Sequence, residues 1–285
     1  MRDSQIKIDK IGKNFANLII IILRAFLFNL NFDKMKKMKK ITVLMVAVLA
    51  VLSAKAQTAD EIINKYLEVT GGKDKWKSVT SVKMTGKVKT QGMELPVTFL
   101  QAKGGKQRIS FSVQGKEITQ MAFDGNTAWA TNFMTMKPEK MEAEDTENMK
   151  KANEDFPDPF IDYAAKGYKV ELEGKEKIEG TECFKVKLTK KPEIIEGKEV
   201  ENVVYYFFDT ENYVPLVVRN VIKKGQFKGM PTDSVFSDYQ EVDGFFFAFS
   251  MTNKMNGQVT ESVIFEKVEV NAAVDDKMFA FPAGN

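Results

Sequence analysis

The chain of 285 residues is 44% apolar and 28% charged, contains no histidine, and holds a single cysteine, Cys183. That excludes Ser-His-Asp and Cys-His nucleophiles, histidine zinc sites, internal disulfides, CxxC redox chemistry and iron–sulfur ligation. The formal charge of +3 comes from the start of the chain: residues 1–56 hold 11 of the 42 Lys and Arg but only 3 of the 39 Asp and Glu. Residues 57–285 therefore carry 31 basic and 36 acidic side chains, near −5, and lack the basic footprint of a nucleic-acid binder.

From Met35 the chain reads MKKMKKITVLMVAVLAVLSAKAQ. Lysines 36, 37, 39 and 40 form a positive n-region, Ile41 to Leu52 an apolar h-region, and Ala54-Lys55-Ala56 a small-x-small cleavage site. Residues 35–56 are thus expected to be a signal peptide cut after Ala56, leaving Gln57 first in a periplasmic protein. The apolar run is too short for a membrane span, which needs about 20 residues. No cysteine follows it to carry a lipid anchor. Upstream, residues 1–34 contain a second apolar run, Leu18 to Leu30, interrupted by Arg24. They are read as a start-site artefact ahead of Met35 or Met38, or else as an extra hydrophobic segment.

Residues 57–285 contain no Gly/Ser/Pro-rich linker and read as one domain. Thr58 and Glu61 form a capping box ahead of Ile62, Ile63, Tyr66 and Leu67, with Gly71-Gly72 as the helix stop. Trp76 falls in a short second helical turn. After Ser78 the texture becomes alternating strands joined by glycine turns. Asp124-Gly125 is a hairpin signal between strands at Glu117–Phe123 and Thr127–Asn132. Phe184, Val186 and Leu188 alternate with Lys185 and Lys187, the pattern of a strand with one wet face. Further strands are expected at 168–173, 202–209, 213–222, 232–242, 245–254 and 258–269. The total is about 11–12 strands in an antiparallel up-and-down sheet. Residues 137–166 break the pattern: a polar, helix-forming stretch is followed by DPFIDYAAKG, with Phe160, Ile161 and Ala164 on one side. This insertion is expected to lie across the sheet as a lid.

The apolar load is heavy, with 18 Phe and 11 Met in residues 57–285. Val203–Phe208 (VVYYFF) and Gly244–Met251 (GFFFAFSM) are apolar on both faces, so both faces are covered. Either a filled core or a cavity for an apolar ligand satisfies that pattern. Methionines 121, 134, 136 and 251 suit an adaptable apolar surface.

AFDGNTAWATNF (Ala122 to Phe133) resembles the DG-x-x-x-W strand-turn-strand of the bacterial outer-membrane lipoprotein carrier (LolA/LolB-like, lipoprotein-sorting) family. YYFFDTENYVPLVV, SDYQEVDGFFFAFSMTNKM and the closing NAAVDDKMFAFP follow the same pattern in order. With the N-terminal helix, the resemblance spans nearly all of 57–285. It implies a mainly β fold: a curved, incomplete antiparallel β-barrel with an N-terminal helix and a helical lid. Its concave face would be a hydrophobic cavity for acyl chains. For the family's lid-holding arginine, QAKGGKQRISF offers Lys103, Lys106 and Arg108. The proline that usually ends the tryptophan strand is replaced by Asn132-Phe133.

The expected function is a periplasmic carrier for the acyl chains of lipoproteins or lipids. It would act as a monomer, with a donor or acceptor protein in the envelope membrane, and without a cofactor, metal or catalysis. The alternative is a self-filled half-barrel acting as a protein-interaction module of the cell envelope. A third reading, a carboxylate hydrolase using Asp155, Asp158 and Asp162, ranks below both. Thr119, Met121 and Phe123 are expected to share one face, with Trp129, Thr131 and Phe133 as a second row. Met121, Phe123, Trp129 and Phe247 are the expected acyl contacts, extended by Phe111, Phe133, Phe249 and Met251. Phe160, Ile161 and Arg108 are the lid candidates, and Cys183 is read as a structural thiol.

Overall fold

The computed structural model describes residues 57–90 and 92–282, so the signal segment 35–56 and residues 1–34 lie outside the described residues. Helix α1 (Ala59–Val69) starts on the expected capping box: Thr58 Oγ1 accepts from the Glu61 amide at 3.2 Å, and Glu61 Oε2 accepts from the Thr58 amide at 3.0 Å. Its buried stripe is Ala59, Ile62, Ile63 and Leu67. The short helix α2 (Lys73–Lys77) follows and buries Trp76.

Thirteen strands then form one antiparallel sheet. They are β1 (Ser81–Thr90), β2 (Met93–Ala102), β3 (Lys106–Val113), β4 (Lys116–Phe123), β5 (Ala128–Asn132), β6 (Lys137–Lys140) and β7 (Lys169–Ile178). The rest are β8 (Thr181–Ile195), β9 (Lys198–Asp209), β10 (Pro215–Val221), β11 (Pro231–Val242), β12 (Phe245–Met255) and β13 (Gln258–Val270). The sheet order is β6-β5-β4-β3-β2-β1-β13-β12-β11-β10-β9-β8-β7. The chain thus starts at β1 in mid-sheet and steps outward to the edge strand β6. It crosses to the far edge β7 and steps back until β13 pairs with β1.

The expected 11–12 strands become 13, and the unforeseen one is β6. Its sequence, KPEK, has no apolar alternation and contains a proline. An edge strand can carry both, because one side of its backbone needs no ladder partner and neither face needs covering. Helix α3 (Ala143–Ala152) begins the crossing and has no buried residue. Polar contacts to the β8–β9 hairpin hold it instead. The Asn148 side chain accepts from the Ile194 amide at 2.8 Å and donates to its carbonyl at 2.7 Å, while Lys151 donates to the Pro192 carbonyl at 2.8 Å. α3 therefore leads from the β6 edge to the strands beside the β7 edge, as a lid crossing the mouth of the sheet must.

The core shows that the sheet curls. Val97 of β2 and Phe184, Val186 and Leu188 of β8 belong to one buried cluster with α1, Phe160 and Ile161. Those two strands stand seven places apart in the order. On a flat sheet that is about 34 Å, too far for one helix to bridge. The sheet wraps its inner face around α1 and the crossing segment and stays open between β6 and β7.

Candidate functional site

The inner face is filled on one side and hollow on the other. Near β7–β9, Phe160 inserts between Tyr66, Tyr206 and Phe208, with ring centroids 6.0, 4.7 and 5.7 Å away. Under β1, β2 and β11–β13 a trough of about 450 Å³ remains. Its apolar walls include Met84, Phe99, Phe236, Phe247, Met251 and Phe265. Trp76 helps close it, packing its ring 4.7 Å from Phe245 and 5.4 Å from Phe247 and donating its indole N–H to Thr70 Oγ1 at 3.2 Å. Its volume and apolar lining fall within the range of small-molecule sites.

Of the residues expected to line a cavity, Phe247 and Met251 do so. Phe249 is buried in the same inner-face core without reaching the trough. Met121 and Phe123 face the same way by register, Met121 opposite Ile109 and Phe123 opposite Gln107, but lie outside the trough. Phe111 stacks on Phe133 at 5.8 Å, and Phe133 is half-exposed in the β5–β6 turn.

Three expectations are corrected. Trp129 pairs with Ala122 while Phe123 pairs with Ala128, so Trp129 points to the outer face. There it is buried under the C-terminal segment, donating its indole N–H to the Phe279 carbonyl at 2.8 Å and touching the Phe281 ring. Thr119 does not share a face with Met121. The β3–β4 register shifts between Ile109 and Ser110, which sets Thr119 opposite Ser110 on the outer face. Arg108 also points outward, donating to Thr119 Oγ1 at 2.9 and 3.1 Å and pairing with Glu117 at 3.2 Å. None of these bonds reaches the lid.

Several of the ties that hold the crossing segment lie on α1 and α2. Tyr66 donates its hydroxyl to Asp158 Oδ2 at 2.6 Å, and the Phe160 amide donates to Asp158 Oδ1 at 2.8 Å. Burial raises the Asp158 carboxyl above the usual range, against the pull of those hydrogen bonds. Asp162 pairs with Lys73 at 2.8 Å and Lys77 at 2.7 Å, which lower its carboxyl to about 2. Tyr163 donates its hydroxyl to Asp60. Asp155 accepts from Tyr168 at 2.9 Å and Lys190 at 2.8 Å. Each of the three acids considered for hydrolysis is thus engaged with its own structural partners.

Asp162 gives a pH prediction. Its depressed pKa contributes stability that is present above the unfolded value near 3.9 and is lost as pH falls toward 2. The pair is more than a third exposed, which limits it to under about 1 kcal/mol. Asp162→Asn is expected to flatten the acid limb of stability between pH 4 and 2 in urea titrations and leave the difference constant above pH 5. A difference from wild type that keeps growing above pH 5 would contradict this.

Cys183 is fully buried beside Phe207 and Val217 on the outer face. Burial, then the Asp209 carboxylate, push its thiol up to about 11, the setting of an inert thiol. Among the described residues, no group of three or more His, Cys, Asp or Glu can hold a metal ion, and no helix is long and apolar enough to cross a membrane.

Fold and trough together define an open antiparallel half-barrel wound around its own N-terminal helix, with an apolar hollow beside it. No family model matches the chain, and no curated protein matches it by sequence. Among solved structures it is similar to a LolA superfamily protein from Nitrosomonas europaea: 14% identity, TM-score 0.48, covering 79% of this chain and 98% of that one. It is also similar to an outer-membrane lipoprotein-sorting protein domain from Vibrio parahaemolyticus (12%, 0.48, 77% and 94%). A DUF1329 family protein from Desulfovibrio piger gives 14%, 0.45, 79% and 98%. At these identities the likeness concerns the fold, and the functional reading rests on the trough itself.

Proposed function

We propose that the chain is an exported periplasmic binding protein or carrier for the acyl chains of lipoproteins or lipids, acting in outer-membrane lipoprotein sorting. The observation that carries this reading is the trough: an unfilled hollow walled by Phe, Met and Val side chains and bordered by the crossing segment. An acyl chain gains about 0.8 kcal/mol for each CH₂ it buries. Sixteen carbons therefore offer roughly 12 kcal/mol before the costs of ordering are subtracted. The self-filled alternative describes the β7–β9 side, where Phe160 and Ile161 occupy the concavity. It does not describe the side under β11–β13.

The test pairs binding with stability. A fluorescent fatty-acyl probe is expected to bind the purified protein, and Met251→Ser and Phe247→Ser are expected to weaken it about tenfold or more. Ile264→Ser, on a side chain 53% exposed outside the trough, serves as control and leaves binding unchanged. Urea unfolding of the same proteins separates the readings. Absence of probe binding by wild type, with stability lost in proportion to burial, would mark these as plain core residues and end the carrier reading.

A further inference from the structure

The trough continues past its apolar wall. Gln101, Pro157 and Tyr206 line both it and a second cavity of about 310 Å³, whose other walls include Lys106, Gln107 and Asp155. We propose that this neck is a headgroup site that selects acyl chains ending in a neutral ester or amide over chains ending in a free carboxylate. The inference rests on the acyl-binding reading above and adds the chemistry of the ligand's polar end.

The first observation is an unspent hydroxyl. Tyr66 and Tyr168, on either side of the crossing segment, give their hydroxyls to Asp158 and Asp155. The Tyr206 hydroxyl, at the neck, has no hydrogen-bond partner among the described residues. Burial, reinforced by the charges of Asp158 and Asp155, raises its pKa, so it stays a proton donor. Tyr206 is half-buried and lines both cavities, so its hydroxyl is free to donate to a carbonyl oxygen lodged in the neck.

The second is a pair of free amides. Gln101 and Gln107 are cross-strand partners of β2 and β3 and turn toward the same cavity. Among the described residues neither side chain forms a hydrogen bond. Each offers two donors and an acceptor, which suits an ester, amide or hydroxyl headgroup.

The third is charge. Lys106 is paired with Asp276 at 2.5 Å and Lys190 with Asp155 at 2.8 Å, while Lys166 donates to the Asp158 and Pro159 carbonyls at 3.2 Å. An incoming carboxylate would face Asp155, which lines the cavity, and find each of these ammonium groups already engaged. Moving a charge into such a place is far costlier than moving a neutral carbonyl there.

The experiment is competition for the fluorescent acyl probe at pH 8 by monopalmitoylglycerol and by palmitate, each below its aggregation concentration. The ester is expected to compete about tenfold better. Tyr206→Phe and Gln101→Leu, checked for unchanged thermal unfolding, are each expected to weaken the ester about five- to tenfold, the scale of one lost hydrogen bond, and to leave palmitate unmoved. Equal competition by the two chains in wild type, or equal weakening of both by Tyr206→Phe and Gln101→Leu, overturns the headgroup inference while the acyl reading stands. If neither chain displaces the probe at all, both readings fall.

Discussion

Gly86→Ala is expected to destabilise the protein by about 3 kcal/mol or more, because the added methyl has nowhere to go. Gly86 lies where the β1–β13 register shifts, between Thr85 and Gly86, and the two strands are drawn together there. A Cβ at this position would run into the Ile264 carbonyl oxygen and come within 2.7 Å of Phe265 Cα. Both obstacles are backbone, so no side-chain rotation relieves them. The bulge matters for the trough because Met84 and Phe265, which flank it, are two of the trough's walls. Gly197→Ala is the control: at φ +73 with open space around it, its cost is backbone strain alone, about 1 kcal/mol. Urea unfolding gives both values. A Gly86→Ala protein no less stable than Gly197→Ala would mean that β1 and β13 can separate there without loss.

The strands and α1 were legible because their signals are local. A capping box, a Gly-Gly stop and alternating apolar runs each act over a few residues, and the resemblance of the ordered motifs supplied the half-barrel. Which side of each strand faces inward was less legible. Phe123 and Trp129 both look like cavity residues in sequence, yet the connection through Asp124–Thr127 pairs Phe123 with Ala128 and sends Trp129 outward. A one-residue difference in that register would reverse the result. The irregularity in β4 likewise puts Thr119 and Met121 on opposite faces, and no residue type announces it. Met84, Phe99, Phe236, Phe265 and Tyr206 carry no local cavity signal, because they meet only when distant strands curl together. Arg108 illustrates the limit of transferring a role by resemblance: the motif locates its strand, but its side chain serves Thr119 and Glu117.

The crossing segment supplies the second large effect. Phe160→Ala is expected to cost about 3–5 kcal/mol, the range for deleting a buried phenylalanine ring. Phe160 is 2% exposed and wedged among Tyr66, Tyr206 and Phe208. The other ties of residues 156–167 to α1 and α2 include the Tyr66–Asp158 hydrogen bond and the Asp162 ion pairs, and the latter are well exposed. Those pairs are worth far less than the ring, so Asp162→Asn and Phe160→Ala should differ several-fold in urea midpoint shift. The place where the loss appears is equally informative. α3 has no buried residue, so once the Phe160 anchor is gone the crossing segment should open before the sheet does. Limited proteolysis is expected to cut Phe160→Ala within residues 141–168 under conditions where wild type is intact. Hydrogen exchange should show faster amides there and unchanged protection in β1 and β13. Uniform loss of protection across the sheet would instead place Phe160 in the global core, with no separable lid for cargo to pass.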